Sequence, residues 1–143
     1  MAEHINAEIS LNAITSLEST IKYIQGTFLF VRMKKNLKYY VKENTNVNIE
    51  THVQNLCREI LEELGCYDLI SYDKIKRDVK PLELGIEMSR FYVDFLSVKV
   101  LFENYQNKLD SHFANLQKLV ETLSKAHEYE KFRSKLEERS KLK

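Results

Sequence analysis

Five cations and two aromatic rings fall within eleven residues: Arg32, Lys34, Lys35, Lys38 and Lys42, with Tyr39 and Tyr40 interleaved. Cations at that density neutralise phosphates, and tyrosines between them offer flat platforms for bases. The corresponding chemistry is contact with single-stranded nucleic acid. The same residues also suit the end of a helix, where cations offset the macrodipole and keep the surface solvated. Both readings stay open here. A smaller cluster, Lys74, Lys76, Arg77 and Lys80, reads as a solvated turn.

Other chemistries lack their residues. A nucleotide-hydrolysing motor needs a glycine-rich loop ending in Lys and Ser/Thr, so that backbone amides cradle the phosphates. Gly26, Gly65 and Gly85 stand alone, none in that pattern, so no ATPase and no cofactor are expected of this chain. His4, His52, His112 and His127 lie at least 15 residues apart, without the i, i+4 pair of a helical zinc site, and no metal is expected. Cys57 and Cys66 are nine residues apart and form no CxxC; Cys57 reads as a buried structural thiol. Glu62-Glu63 and Glu137-Glu138 are consecutive, so they diverge around a helix and cannot flank one substrate bond.

The chain of 143 residues is the size of one domain, or of one domain with part of the next. Its 22 basic and 21 acidic residues give a net charge of +1, so any attraction for nucleic acid must be local. Two cysteines favour a reducing intracellular compartment over a disulfide scaffold. No apolar run approaches the roughly 18 residues of a membrane span, and Met1 is followed by Ala2-Glu3-His4 rather than a basic leader. The expectation is a soluble, unsecreted protein with no membrane partner.

Few breakers interrupt the helical periodicity that must position these residues. Ile5 and Ile9 predict a short amphipathic helix over residues 2–12. Thr15 and Glu18 read as a capping box opening a helix to about Lys35, with Leu17, Ile21, Ile24, Phe28 and Val31 as its apolar stripe. Residues 44–48 are polar and read as a loop. Ile49, Val53, Leu56, Ile60 and Leu64 line one face of the next helix, with Gly65 as its stop. Residues 67–72 and 79–82 read as two strands about a charged turn, the second an edge strand because of Pro81. Helices follow over 82–93 and 96–105, then a helical pattern at Phe113, Leu116, Val120 and Leu123. The tail 128–143 is nearly all charge. The outline is a mainly α fold: a winged helix with a small two-stranded wing, followed by additional helices.

Five segments, in order, resemble the Brr/Ski-like superfamily-two helicases, most closely their meiotic crossover branch. Ile5-Asn6-Ala7-Glu8-Ile9 is similar to L-N-A-E-I, which closes the second RecA-like motor domain. The segment from Thr27 to Asn36, TFLFVRMKKN, resembles T-x-L-Y-V-R-M-x-x-N. The segment from Ile49 to Cys57, IETHVQNLC, resembles the crossover branch's [IV]-E-x-[HK]-[LV]-Q-[EN]-L-C. Lys80-Pro81-Leu82-Glu83-Leu84-Gly85 and the segment from Met88 to Val93 resemble K-P-x-E-x-G-R-L-M-S-x-Y-Y-I, and Leu123 to Tyr129 resembles [IL]-S-K-A-x-E-[FY]. Departures are Leu37 and Val41 in place of the family's Pro and Gly, Ile86 in place of Arg, and Tyr23 in place of Trp.

The resemblance implies three parts: residues 1–14 as the tail of the second motor domain, 15–94 as the winged helix, and 95–143 as the start of a Sec-type helical domain. It implies a non-catalytic segment of an ATP-dependent DNA helicase of meiotic recombination, located in the nucleus. Such a segment packs against the parent's motor domains and helps enclose a single strand. Two alternatives belong to other classes. One is a freestanding winged-helix regulator of duplex DNA; it needs basic residues on its recognition helix, yet Arg58 stands there among Glu59, Glu62 and Glu63. The other is a helical protein-interaction adaptor.

Overall fold

The computed structural model describes residues 1–40, 48–106 and 120–129. The chain forms two compact units, Met1–Ser89 and a second beginning at Arg90. The first contains α1 (Ala2–Ser10), α2 (Leu17–Gln25), α3 (Phe28–Lys35), α4 (Leu37–Tyr40), α5 (Ile49–Cys66), β1 (Ile70–Tyr72) and β2 (Val79–Pro81), with α6 (Glu83–Arg90) closing it. The second contains α7 (Phe95–Gln106) and helical turns at 120–123 and 127–129. This is the mainly helical winged-helix outline expected from the sequence. The expected loop at 44–48 lies outside the described residues except for Asn48, as do Phe113, Leu116 and the tail beyond Tyr129.

α1 buries Ile5 and Ile9, as their spacing requires, and packs against α5 and β2. Asn12 takes a left-handed φ of 56° just past its end. The Asn12 amide then donates to Ile9 and that of Ala13 to Glu8, a Schellman closure that satisfies two orphan carbonyls.

The cap of α2 lies one residue later than the Thr15/Glu18 pairing predicts. Ser16 is the N-cap; its hydroxyl accepts from the Ser19 amide at 3.2 Å, while Ser19 Oγ accepts from the Ser16 amide at 2.9 Å. Thr15 is engaged elsewhere, since its carbonyl accepts from the Val79 amide at 2.9 Å. Ser16 also bridges antiparallel to Asp78, so the chain entering α2 lies alongside the wing as a short extra strand.

The single helix expected up to Lys35 is two. Gly26 ends α2, and Thr27, with an extended backbone, starts α3. The break resets the helical phase, so the expected stripe does not continue. Phe28 is 75 % exposed and Val31 is exposed, while Phe30 and Met33 turn inward.

α5 is 18 residues long, capped by Asn48 Oδ1 accepting from the Glu50 amide at 3.3 Å. Its buried face is Val53, Cys57, Ile60, Leu61 and Leu64; Ile49 and Leu56 are only half-buried. Gly65 does not stop it. The stop is Asp68, at φ 53°, with the Asp68 amide donating to Gly65 and the Leu69 amide to Leu64. That closure uses residues 67–69, so β1 begins only at Ile70.

β1 and β2 pair antiparallel, Ser71 opposite Lys80 and Tyr72 opposite Val79. Leu69, Ile70 and Val79 are buried beneath them. Pro81 lies opposite Ile70, where the ladder needs no N–H from it, and the next amide, Leu82, donates to the Leu69 carbonyl at 3.1 Å. Gly85 brings α6 against this layer: a Cβ there would lie 2.1 Å from the Leu69 carbonyl oxygen.

In the second unit, Asp94 caps α7, its Oδ1 accepting from the Leu96 amide at 2.8 Å. Glu128 reaches the same helix start: Oε1 accepts from the Asp94 amide at 2.8 Å, and Oε2 accepts from the Ser97 hydroxyl. The His127 amide donates to Ser97 Oγ at 2.8 Å, and His127 Nδ1 lies 3.0 Å from Asp94 Oδ2.

Candidate nucleic-acid interface

α3 ends at Asn36, whose backbone (φ −146°, ψ 69°) leaves the helical region. The Asn36 amide still donates to the Arg32 carbonyl at 3.0 Å, and α4 starts immediately after, at Leu37. The turn folds α4 back onto the last turn of α3. Arg32, Asn36, Tyr39 and Tyr40 consequently line one open cleft of about 310 Å³.

The tyrosine rings meet edge to face, with centroids 5.2 Å apart and planes at 79°. They therefore cannot form one continuous stack; each presents its own face. Tyr39 is 77 % exposed and available to a base, while Tyr40 is half-buried and forms the floor. Arg32 and Lys35 are exposed and make no ion pair among the described residues. Lys34 differs: its ammonium lies 4.6 Å from the centre of the Phe30 ring and holds that ring's outer face.

Of the seven residues predicted as contacts, three are thus brought into one cleft: Arg32, Tyr39 and Tyr40. Lys35 is exposed on α3, and Lys34 is committed to Phe30. Lys38 is in α4, but its side chain lies outside the described residues, as does Lys42 entirely. Asn36, which completes the cleft, is not among the contacts predicted from sequence. Its signal was local: an Asn closing the Lys34-Lys35-Asn36 run marks a helix end. Arg32, Lys34 and Lys35 occupy the last turn of α3, so their charges also offset its dipole.

The wing cations are arranged otherwise. Lys74 pairs with Glu62 of α5 at 2.9 Å, and Arg77 with Glu18 of α2 at 3.1 Å. Glu18 is held below the usual carboxylate range by backbone hydrogen bonding and by the Arg77 guanidinium. Lys76 and Lys80 are exposed and make no ion pair among the described residues.

α5, the helix before the wing, exposes Glu50, Glu59 and Glu62 beside Arg58. Such a surface repels phosphates and does not suit a major-groove reader. Cys57 is buried, and that burial pushes its thiol pKa up to about 12, which removes it as a nucleophile at neutral pH. Among the described residues no helix is long and apolar enough to cross a membrane.

The sequence model of the winged helix-turn-helix domain family matches residues 1–74. The chain is 33 % identical over 141 residues to the probable ATP-dependent DNA helicase HFM1 of Xenopus tropicalis, covering 97 % of this chain and 10 % of that protein. It is 35 % identical over 101 residues to the ATP-dependent DNA helicase MER3 homolog of Oryza sativa subsp. japonica, covering 69 % of this chain and 8 % of that one. Against the human U5 small nuclear ribonucleoprotein 200 kDa helicase it is 28 % identical over 131 residues, covering 91 % of this chain and 6 % of that one. The chain spans about a tenth or less of the length of these relatives.

Proposed function

The chain belongs to the winged-helix family of Brr/Ski-like superfamily-two helicases, in the meiotic crossover branch, and from that premise we propose that it is a non-catalytic segment of an ATP-dependent DNA helicase. ATP is hydrolysed by motor domains elsewhere in such a parent, and this segment holds no cofactor. Its part is positional: it packs against the motor and helps enclose the single strand being moved. Residues 1–14 are the closing segment of the second motor domain, 15–94 the winged helix, and 95–143 the start of the helical domain. The parent acts in the nucleus on meiotic DNA.

The observation that carries the nucleic-acid part is the cleft of Arg32, Asn36, Tyr39 and Tyr40. An exposed cation with no ion pair among the described residues, Arg32, stands there beside the exposed ring of Tyr39. Packing against another domain is supported by Phe28 and Val31, large apolar side chains that α3 exposes next to this cleft.

The test is titration of a labelled single-stranded oligonucleotide with the wild-type chain and with Arg32→Ala/Tyr39→Ala, beside a thermal melt of both. The expected result is weak binding at low salt that the double variant loses while its melt stays put. A melt that moves while binding does not assigns these residues to stability and refutes the reading.

A further inference from the structure

Asparagine usually has a local task, as a helix cap, a turn former or a carrier of left-handed backbone. Most asparagines here have one. Asn6 donates to Gly85, Asn48 caps α5, Asn55 accepts from Arg58 at 3.4 Å, and Asn104 donates to Val100 at 2.6 Å. Asn12 closes α1 with a left-handed φ of 56°, a conformation that favours its residue type. Asn36 has none of these tasks. Its φ of −146° lies outside the left-handed region, it is exposed, and its carboxamide makes no hydrogen bond among the described residues. Nothing in the described fold asks for a carboxamide at this position.

Its surroundings have room for one base. Asn36 lines the α3–α4 cleft with Arg32, one helical turn before it, and with Tyr39 and Tyr40. The Tyr39 ring is exposed and can carry a base on its face. Tyr40 stands at 79° to it with centroids 5.2 Å apart, so a base stacked on Tyr39 meets the second ring at nearly a right angle. A stacked run of bases cannot continue onto Tyr40. The volume agrees: about 310 Å³ is at the lower end of ligand sites, which run from roughly 300 to 1,000 Å³.

A carboxamide holds a donor beside an acceptor, and so pairs with a base edge that offers an acceptor beside a donor. Adenine offers that on two edges, N7 with the N6 amino group and N1 with the same group. Guanine's N7 edge carries two acceptors, and a pyrimidine has no N7 edge and a smaller face to stack. We propose that the cleft takes one base of a single strand and prefers adenine: Tyr39 stacks on its face, Asn36 pairs with its edge, and Arg32 meets the adjoining phosphate. Asn36 is then the specificity-determining residue. This rests on the reading of the cleft as a single-strand contact and adds a base preference to it.

The experiment uses the whole 143-residue chain. A short labelled thymidine strand is titrated at low salt, beside copies whose central base is adenine, guanine, cytosine or a purine lacking the 6-amino group. The adenine strand is expected to bind tightest. Removing the 6-amino group takes away one hydrogen bond and keeps the stacking face, so it should weaken wild-type binding about threefold to tenfold. In Asn36→Ala the same removal should change nothing, and the melt should stay put, since the carboxamide bonds nothing among the described residues. Asn36→Gln carries the same amide on a longer arm and should retain the preference. Equal affinity for every strand overturns the base preference and leaves the single-strand reading standing. No binding of any strand sinks that reading, and this proposal with it. A guanine strand that binds tightest overturns the proposal, because Arg32 would then be the base reader. An amino-group loss as large in Asn36→Ala as in the wild type overturns the role of Asn36, as does a melt lowered by that substitution.

Discussion

The side-chain amide of Asn6, on α1, donates a 2.8 Å hydrogen bond to the carbonyl oxygen of Gly85, on α6, joining residues 79 apart in sequence. Asn6 is fully buried and also donates to Ser89 Oγ at 2.9 Å. The contact exists only because Gly85 lacks a side chain: a Cβ would meet Asn6 Oδ1 at 2.8 Å and the Leu69 carbonyl oxygen at 2.1 Å. The order of damage follows. Asn6→Ala removes one donor from a Gly85 carbonyl that still accepts from the Ser89 and Ser10 hydroxyls, and takes away the unpartnered Asn6 Oδ1 as well, so it should cost only about 1 kcal/mol. Gly85→Ala forces rigid backbone apart and should cost at least as much, about 3 kcal/mol or more. Urea midpoints of both variants check this; Gly85→Ala falling at or above Asn6→Ala would refute the close approach.

The start of α2 gives a second expectation. Ser16→Ala removes the capping hydroxyl and should destabilise the first unit by about 0.5–2 kcal/mol, whereas Thr15→Ala should cost far less, since its backbone makes the wing contact. At the C-terminal end of α5, Asp68→Gly should be neutral or stabilising by up to about 1 kcal/mol, because glycine enters the left-handed region without strain. Thermal melts of the three variants give the ranking. A Thr15→Ala loss as large as that of Ser16→Ala would return the cap to Thr15.

These caps mark where the sequence stops being legible. The 3.6-residue apolar period located α1 and α5, and two stretches mixing β-branched or aromatic with polar residues about a charged turn located the wing, because burial on one face leaves its trace in residue type. Helix ends are different. Asn12 and Asp68 close helices through left-handed backbone that no apolar pattern reports, and Gly65, the obvious stop, is an ordinary helical residue. Gly26-Thr27 resets the phase of α3, so Phe28 and Val31 read as core when they face outward. In the site, residue types pointed to Arg32, Tyr39 and Tyr40, but Asn36, which folds them together, was visible only as a helix end. The commitment of Lys34 to Phe30 needed coordinates.

Glu128 should make the second unit acid-sensitive. Burial opposes its charged form, yet the Ser97 hydroxyl and the Asp94 amide outweigh that and hold the carboxyl below its ordinary 4.5. A carboxyl depressed on folding stabilises above its unfolded pKa, and the contribution disappears as pH falls through the depressed folded value. Protection of the Asp94 amide from hydrogen exchange should therefore hold at neutral pH and fade below about 4.5. Glu128→Gln should lower protection at neutral pH and remove its acid dependence. Unchanged protection in that variant would mean that Glu128 does not clasp α7.

Cys57 and Cys66 should separate cleanly by reactivity. Cys57 is buried with its thiol pushed up to about 12, while Cys66 is exposed. An aromatic disulfide reagent near pH 8 should label one thiol promptly and the second only at the rate of unfolding. Cys66→Ser should abolish the prompt phase and leave the slow one. A prompt phase surviving in Cys66→Ser would place Cys57 at an open surface.

The cleft should split into charge and stacking contributions. A single strand held by Z phosphate contacts loses affinity with salt at a slope of about −0.7Z, so each cation that meets a phosphate is worth roughly 0.7 of slope. Arg32 and Lys35 are exposed and make no ion pair among the described residues, so Arg32→Ala and Lys35→Ala should each reduce the slope by that amount. Lys34 lies over Phe30 instead; Lys34→Ala should leave the slope nearly intact and cost about 0.5–1 kcal/mol of stability. Tyr39→Ala removes a stacking face without removing charge. It should weaken binding by about 1–3 kcal/mol at every salt concentration, leaving the slope unchanged. Tyr40→Ala should act less on binding and more on the melt, because its ring is half-buried against Tyr39. Titrations of one labelled strand at two salt concentrations, with melts of the same five variants beside them, resolve all of these contributions. Equal slope losses for Lys34→Ala and Lys35→Ala would show that the strand senses only the net charge of α3, and the cleft would then have no part in holding it.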